Sequence, residues 1–126
     1  MTAHIALSAL LLFSPIVSVS VAKDDWEKDM EAATEEITTA NETINNDAAS
    51  PKEKAAAEEK KAESIAKVDK IADQHPDNLK VQYQVAKAFN QVGEPDRALP
   101  RANRALALAP DNPKLLTLRA NINYKL

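Results

Sequence analysis

His4 and His75 are the only imidazoles in the chain, and neither stands where it could move a proton for catalysis. His4 falls in an apolar N-terminal run. His75 ends a predicted helix, where a cation suits the negative end of the dipole. There is no cysteine, which excludes disulfides, thiolate metal sites, thiol nucleophiles and lipid attachment at a cysteine. Gly93 is the single glycine, too few for a loop that cradles phosphate. Carboxylates are plentiful, but they recur among lysines as solvated helix charges and do not cluster as a metal site would require. Asn41-Glu42-Thr43 has the form of a glycosylation acceptor, yet it lies inside a predicted helix. The chemistry left is recognition: lysines and amides can grip carboxylates through charge-assisted hydrogen bonds. No enzyme activity, metal or cofactor is expected.

The elements that must carry this chemistry are helices. Alanine, lysine and glutamate dominate, all good helix formers, and aromatics make up only 4%. The core must therefore come from Ala, Leu, Ile and Val, which bring helix axes close. The expected fold is all-α.

Residues 5–22 carry no acidic or basic group before Lys23. Their apolar centre, Ala6 to Phe13, has the length of a secretory core region. Pro15 breaks helix after it, and Ser20-Val21-Ala22 supplies small residues for a signal peptidase. Residues 1–22 are expected to be a signal peptide, cleaved between Ala22 and Lys23, which sends the protein to the periplasm or outside the cell. The alternative is an uncleaved membrane anchor, although the stretch is short for a span. No membrane association is expected once the segment is removed.

Charge divides the remainder. Residues 23–75 have net charge −7 and residues 76–126 net charge +4. Neither has the basic patch with interleaved aromatics of a nucleic-acid binder. The acidic part reads as a long helical hairpin. Asp24 and Asp25 are placed to cap its first helix. Trp26, Met30, Ala33, Ile37, Ala40 and Ile44 follow at spacings of 4 and 3, a heptad seam. Asn45-Asn46-Asp47 makes the turn. Ser50, Pro51 and Glu53 open a second helix. It runs to about Gln74 with Ile65, Val68, Ile71 and Ala72 on its apolar face. The seam suits either core packing or a partner-binding coiled coil.

The basic part repeats a turn. Pro76-Asp77-Asn78 and Pro110-Asp111-Asn112 stand 34 residues apart. Between them lie two helical patterns separated by Gly93, which can end the first helix, and by Pro95, preset for the first turn of the second. The segment RALPRANRALALAPDNP resembles the second helix and inter-repeat turn of the tetratricopeptide repeat family, whose period is also about 34 residues. The matching markers are Ala86, Phe89, Gly93, Ala98, Ala105 and Pro110. Gln82 departs from the family, standing where Trp is frequent. Arg119 and Asn123 depart at apolar positions of the last helix, and Pro100 lies inside the second helix of the repeat.

The resemblance implies antiparallel helical hairpins stacked as a short α-solenoid. Residues 79–112 would be one full repeat and 113–126 a further first helix, with 23–75 a degenerate repeat or coiled-coil arm. It also implies an interaction module, an adaptor or assembly factor, whose concave face binds a peptide or protein. Carried across, that face holds Lys80, Tyr83, Lys87, Asn90, Gln91, Lys114, Thr117, Asn121, Tyr124 and Lys125, a polar strip with four lysines and no acid. Leu115, Leu118, Ile122 and Leu126 form an apolar stripe expected to be covered by the hairpin arms or open to a partner, with Leu116 and Ala120 expected to pack on the preceding helices. The expected partner is another protein or acidic peptide, or a second copy of this chain. A structural protein that self-associates through its hairpin is the alternative function.

Overall fold

The computed structural model describes residues 24–126, so the expected signal segment lies outside the described residues. Five helices follow one another: α1 (Asp25–Asn45), α2 (Pro51–Gln74), α3 (Leu79–Gln91), α4 (Pro95–Leu108) and α5 (Pro113–Lys125). The architecture is all-helical, as expected. α1 packs along α2, α3 along α4, and α5 lies mainly on α4, so the stack runs hairpin, hairpin, single helix.

Local chemistry explains each boundary. Ser50 Oγ accepts from the Glu53 backbone N–H while the Glu53 carboxylate accepts from the Ser50 N–H, a complete capping box at the start of α2. Asp24 precedes α1 but makes no side-chain cap bond. The expected cap is therefore absent, and Asp25 and Glu27 act on the first turn through charge alone. The repeated Pro-Asp-Asn turn has one role at both places. Asn78 Oδ1 accepts from Val81 N–H, and Asn112 Oδ1 accepts from the Lys114 and Leu115 N–H groups. Each asparagine thus caps the helix that follows it.

Gly93 has φ +82°. The Glu94 N–H donates to Phe89 O and the Gly93 N–H to Asn90 O, the paired bonds that close a helix C-terminus through a left-handed residue. A β-carbon at Gly93 would meet nothing within 4 Å, so backbone conformation rather than space demands glycine. Pro100 lies inside α4 on its exposed side, where water can serve the carbonyl left without an N–H.

One apolar cluster joins the two oppositely charged parts. Met30, Ala33 and Ile37 of α1 and Ile65 to Ala72 of α2 meet Val81, Val85 and Phe89 of α3, Ala98 and Ala102 of α4, and Leu118 and Ile122 of α5. The α1 seam is therefore spent on the chain's own core, not held open as a coiled coil; its ends, Trp26 and Ile44, are half-buried. Phe89 is fully buried, and Ala86, Ala98, Ala102 and Ala105 have no exposure at all. Gln82 is equally buried. Its Nε2 donates to the Ala72 and His75 carbonyls, 2.9 and 3.0 Å away, tying α3 to the end of α2. Asn41, the residue in the glycosylation motif, donates instead to the Val92 carbonyl.

The register of α5 differs from expectation. Leu115, Leu118 and Ile122 are buried against α3 and α4, not covered by the long arms or left open. Leu126 is exposed, and so are Leu116 and Ala120, which were expected to pack. The apolar arc is wide enough for either face to bury. The spacing of 3 and 4 from Leu115 through Leu118 to Ile122 makes the straighter ridge for helix packing, and that ridge is used.

Ion pairs cross the same joint. Arg97 and Arg101 of α4 reach Asp69 of α2 at 3.1 and 3.2 Å, and Arg101 also reaches Asp73 at 2.9 Å. Lys61 meets Glu94 and Lys80 meets Glu27. Arg104 pairs with Asp77 in the turn between the parts. Within the first hairpin, Glu36 accepts from Ser64 and pairs with Lys60 and Lys67. Those three donors, Lys60 foremost, hold its carboxyl at about 2.

Two outcomes follow. Replacing Ala98 by Leu pushes atoms into a filled contact and should cost about 1–3 kcal/mol; a melting midpoint unchanged from wild type would mean that α4 does not approach α3 as described. The folded-state pKa of Glu36 lies below its ordinary value, so its contribution is complete above pH 4.5 and fades as pH falls towards about 2. Glu36→Gln should therefore melt below wild type at neutral pH, with the gap closing at the acid end. A gap independent of pH would contradict the charge-based clamp.

Candidate partner-binding groove

The first helix of the repeat, α3, and the helix after it, α5, run beside each other with a groove between them. Its volume is about 580 Å³, and Tyr83, Lys87, Asn90, Gln91, Pro113, Lys114, Thr117, Leu118 and Asn121 line it. The walls follow from helical spacing. Tyr83, Lys87 and Asn90 fall on one face of α3, and Lys114, Thr117 and Asn121 on one face of α5. Burial of Val81, Val85 and Phe89 on one helix and of Leu115, Leu118 and Ile122 on the other turns those faces outwards.

Seven of the ten residues expected on the concave face line this groove: Tyr83, Lys87, Asn90, Gln91, Lys114, Thr117 and Asn121. Lys80 lies at its end, in a smaller pocket of about 250 Å³ with Leu79, Tyr83, Asn112, Lys114 and Leu115. That lysine is already engaged. Its Nζ is 3.1 Å from Glu27 of α1 and 5.8 Å from the centre of the Trp26 ring. Lys125 is not in the lining either; its Nζ donates to the Asn90 carbonyl at 3.1 Å, joining the ends of α5 and α3. Tyr124 points away from the groove walls and is 93% exposed.

Charge in the groove is therefore carried by Lys87 and Lys114, neither of which forms an ion pair among the described residues. Asn90 contributes a second kind of unmet demand. Its Oδ1 is shielded from solvent and accepts no hydrogen bond. A buried acceptor without a donor costs free energy.

No acidic residue lines the groove itself, but carboxylates stand close by. On the other side of α3 is a cleft of about 400 Å³ lined by Met30, Glu31, Thr34, Glu35 and Thr38 of α1 and Gln84, Lys87, Ala88 and Gln91 of α3. Lys87 and Gln91 border both spaces, so α1 brings carboxylates to the groove's edge. The signal was present in the spacing of Glu27, Glu31 and Glu35, one row on one helix face, but only the folded joint shows which helix that row meets.

Among the described residues no group of three or more His, Asp or Glu side chains is placed to hold a metal ion, and no helix is long and apolar enough to cross a membrane. Neither a curated protein nor a solved structure gave a match. Residues 79–122, spanning α3, α4 and most of α5, match the model of the tetratricopeptide repeat family.

Proposed function

We propose that this is an exported interaction module whose α3–α5 groove binds an acidic segment of a partner protein. The observation that carries the reading is the pair Lys87 and Lys114, on facing helices of one groove and in no ion pair among the described residues. In the same part of the chain, Lys80, Arg97, Arg101 and Arg104 have carboxylate partners, and Lys125, outside the groove lining, is held by the Asn90 carbonyl. Arg119, also outside that lining, is in no ion pair among the described residues. A partner carboxylate would complete the pattern. The match of this segment to a repeat family used for protein interaction supports a protein ligand. Export rests on the apolar run in residues 5–22 with Ser20-Val21-Ala22 at its end.

Tagged protein expressed in its own host will recover the partner. The double variant Lys87→Glu, Lys114→Glu should bind that partner at least about tenfold more weakly, since two exposed charge contacts are reversed. Its melting midpoint should stay near wild type because both side chains are exposed. Equal affinity of the two proteins, or affinity indifferent to added salt, would dismiss the groove as the site. For export, intact mass of the recovered protein should correspond to a chain that begins at Lys23. A mass that retains Met1 on a membrane-bound species would favour the anchor instead.

A further inference from the structure

The two ends of the helical stack are unlike and complementary. At one end, α5 has no helix on its outer side among the described residues, whereas α1 is paired with α2 and α3 with α4. That outer side carries Leu116, Ala120 and Tyr124 at successive spacings of four, which form one stripe on a helix. Leu116 is 43% and Tyr124 93% exposed, and Ala120 is also exposed. The stripe is separate from the groove walls described above. The helix bears Lys114, Arg119 and Lys125 and no acidic side chain.

At the other end, the first hairpin has an open groove of about 730 Å³ on the side away from α3. Ala32, Thr39, Ala40, Thr43, Ala56 and Ala57 make its floor, and Glu35, Glu36, Glu53 and Lys60 stand around it. Small residues along two helices allow a third helix to approach closely. Glu36 and Lys60 neutralise each other, which leaves Glu35 and Glu53 to set the sign of the rim.

We propose that these two surfaces bind each other between copies: the Leu116–Ala120–Tyr124 stripe of one molecule seats in the Ala-lined groove of the next. Charge selects this occupant over the simplest alternative. Lys114 faces the α3–α5 groove and Lys125 is bonded to Asn90, so Arg119, three residues on from Leu116, is the cation beside the stripe. Two α5 helices face to face would oppose it with its own copy, whereas α5 against the hairpin sets it beside Glu35 and Glu53. The contact is heterologous, since donor and acceptor surfaces differ, so each added copy leaves one of each unused. The α3–α5 groove faces elsewhere and stays available in every copy. An array would then offer many weak sites to one partner, raising avidity without any new contact.

Sedimentation velocity on the purified protein over a concentration series tests this. Wild type should shift from monomer to larger species, less so in raised salt. Leu116→Asp with Tyr124→Asp removes the donor stripe, and Ala56→Arg blocks the acceptor groove; each variant should stay helical by circular dichroism and associate at least about tenfold more weakly. Mixed in equal amounts, the two variants should give a dimer that grows no further, because only one intact pair of surfaces remains. A wild type that is monomeric throughout would overturn the proposal. So would an Ala56→Arg protein that associates as well as wild type, since the stripe would then be pairing with itself or with another surface.

Discussion

The carboxamide of Gln82 holds the joint on which the rest of the structure depends. It is fully buried, and both of its useful bonds go to carbonyls at the end of α2. Carbonyls at a helix C-terminus lack intrahelical partners and need donors when the end is covered. Gln82 supplies them from near the start of α3, beside the buried Val81 and Val85. The direction of α3 is thereby set relative to the hairpin, and with it the positions of α4, α5 and the groove. The arrangement has a cost, since Gln82 Oε1 accepts no bond. An apolar side chain there would remove that cost, and with it the donors that register α3 on α2.

Around the joint, apolar burial and ion pairing have different tasks. A fully buried valine or isoleucine is worth about 1.5–3 kcal/mol, whereas an exposed ion pair is worth about 0–1 kcal/mol. The contact of Ile37, Val68 and Ala72 with Val81, Val85 and Phe89 must therefore supply most of the stability. The row of Arg97, Arg101 and Arg104 against Asp69, Asp73 and Asp77 supplies alignment. A register slip along α2 would set those arginines opposite the wrong side chains. The segregation of acid and base along the chain is thus used largely within the molecule. What it leaves over, Lys87, Lys114 and Arg119 on one side and the hairpin's outer carboxylates on another, is what remains for recognition.

Features governed by near neighbours were legible from residues alone. The Ser50–Glu53 box, the Gly93 turn and the two Pro-Asp-Asn turns each need only a few adjacent residues, and each forms as read; Asp24 is the exception, taking the cap position without making the bond. The apolar faces of α1 and α2 were equally plain, because each helix has a single apolar stripe. α5 was not, since its leucines spread over an arc in which Leu115 and Leu116 compete for the interior. Only contact with α3 and α4 decides between them. The site was legible in the same measure. Tyr83, Lys87 and Lys114 come together as a repeat pattern implies, while the engagement of Lys80 by Glu27 and the nearness of Glu31 and Glu35 depend on a helix some fifty residues earlier in the chain.

The central claim is that the hairpin and the repeat share one core and stand or fall together. Trp26 is the only tryptophan; it lies in α1 and packs against the common cluster, so its fluorescence reports the hairpin, whereas far-ultraviolet circular dichroism reports all five helices. Equilibrium denaturation followed by both signals should give a single transition with one midpoint and one slope. Two separated transitions, with Trp26 released while part of the helical signal persists, would show that the hairpin is an independent unit and contradict the account.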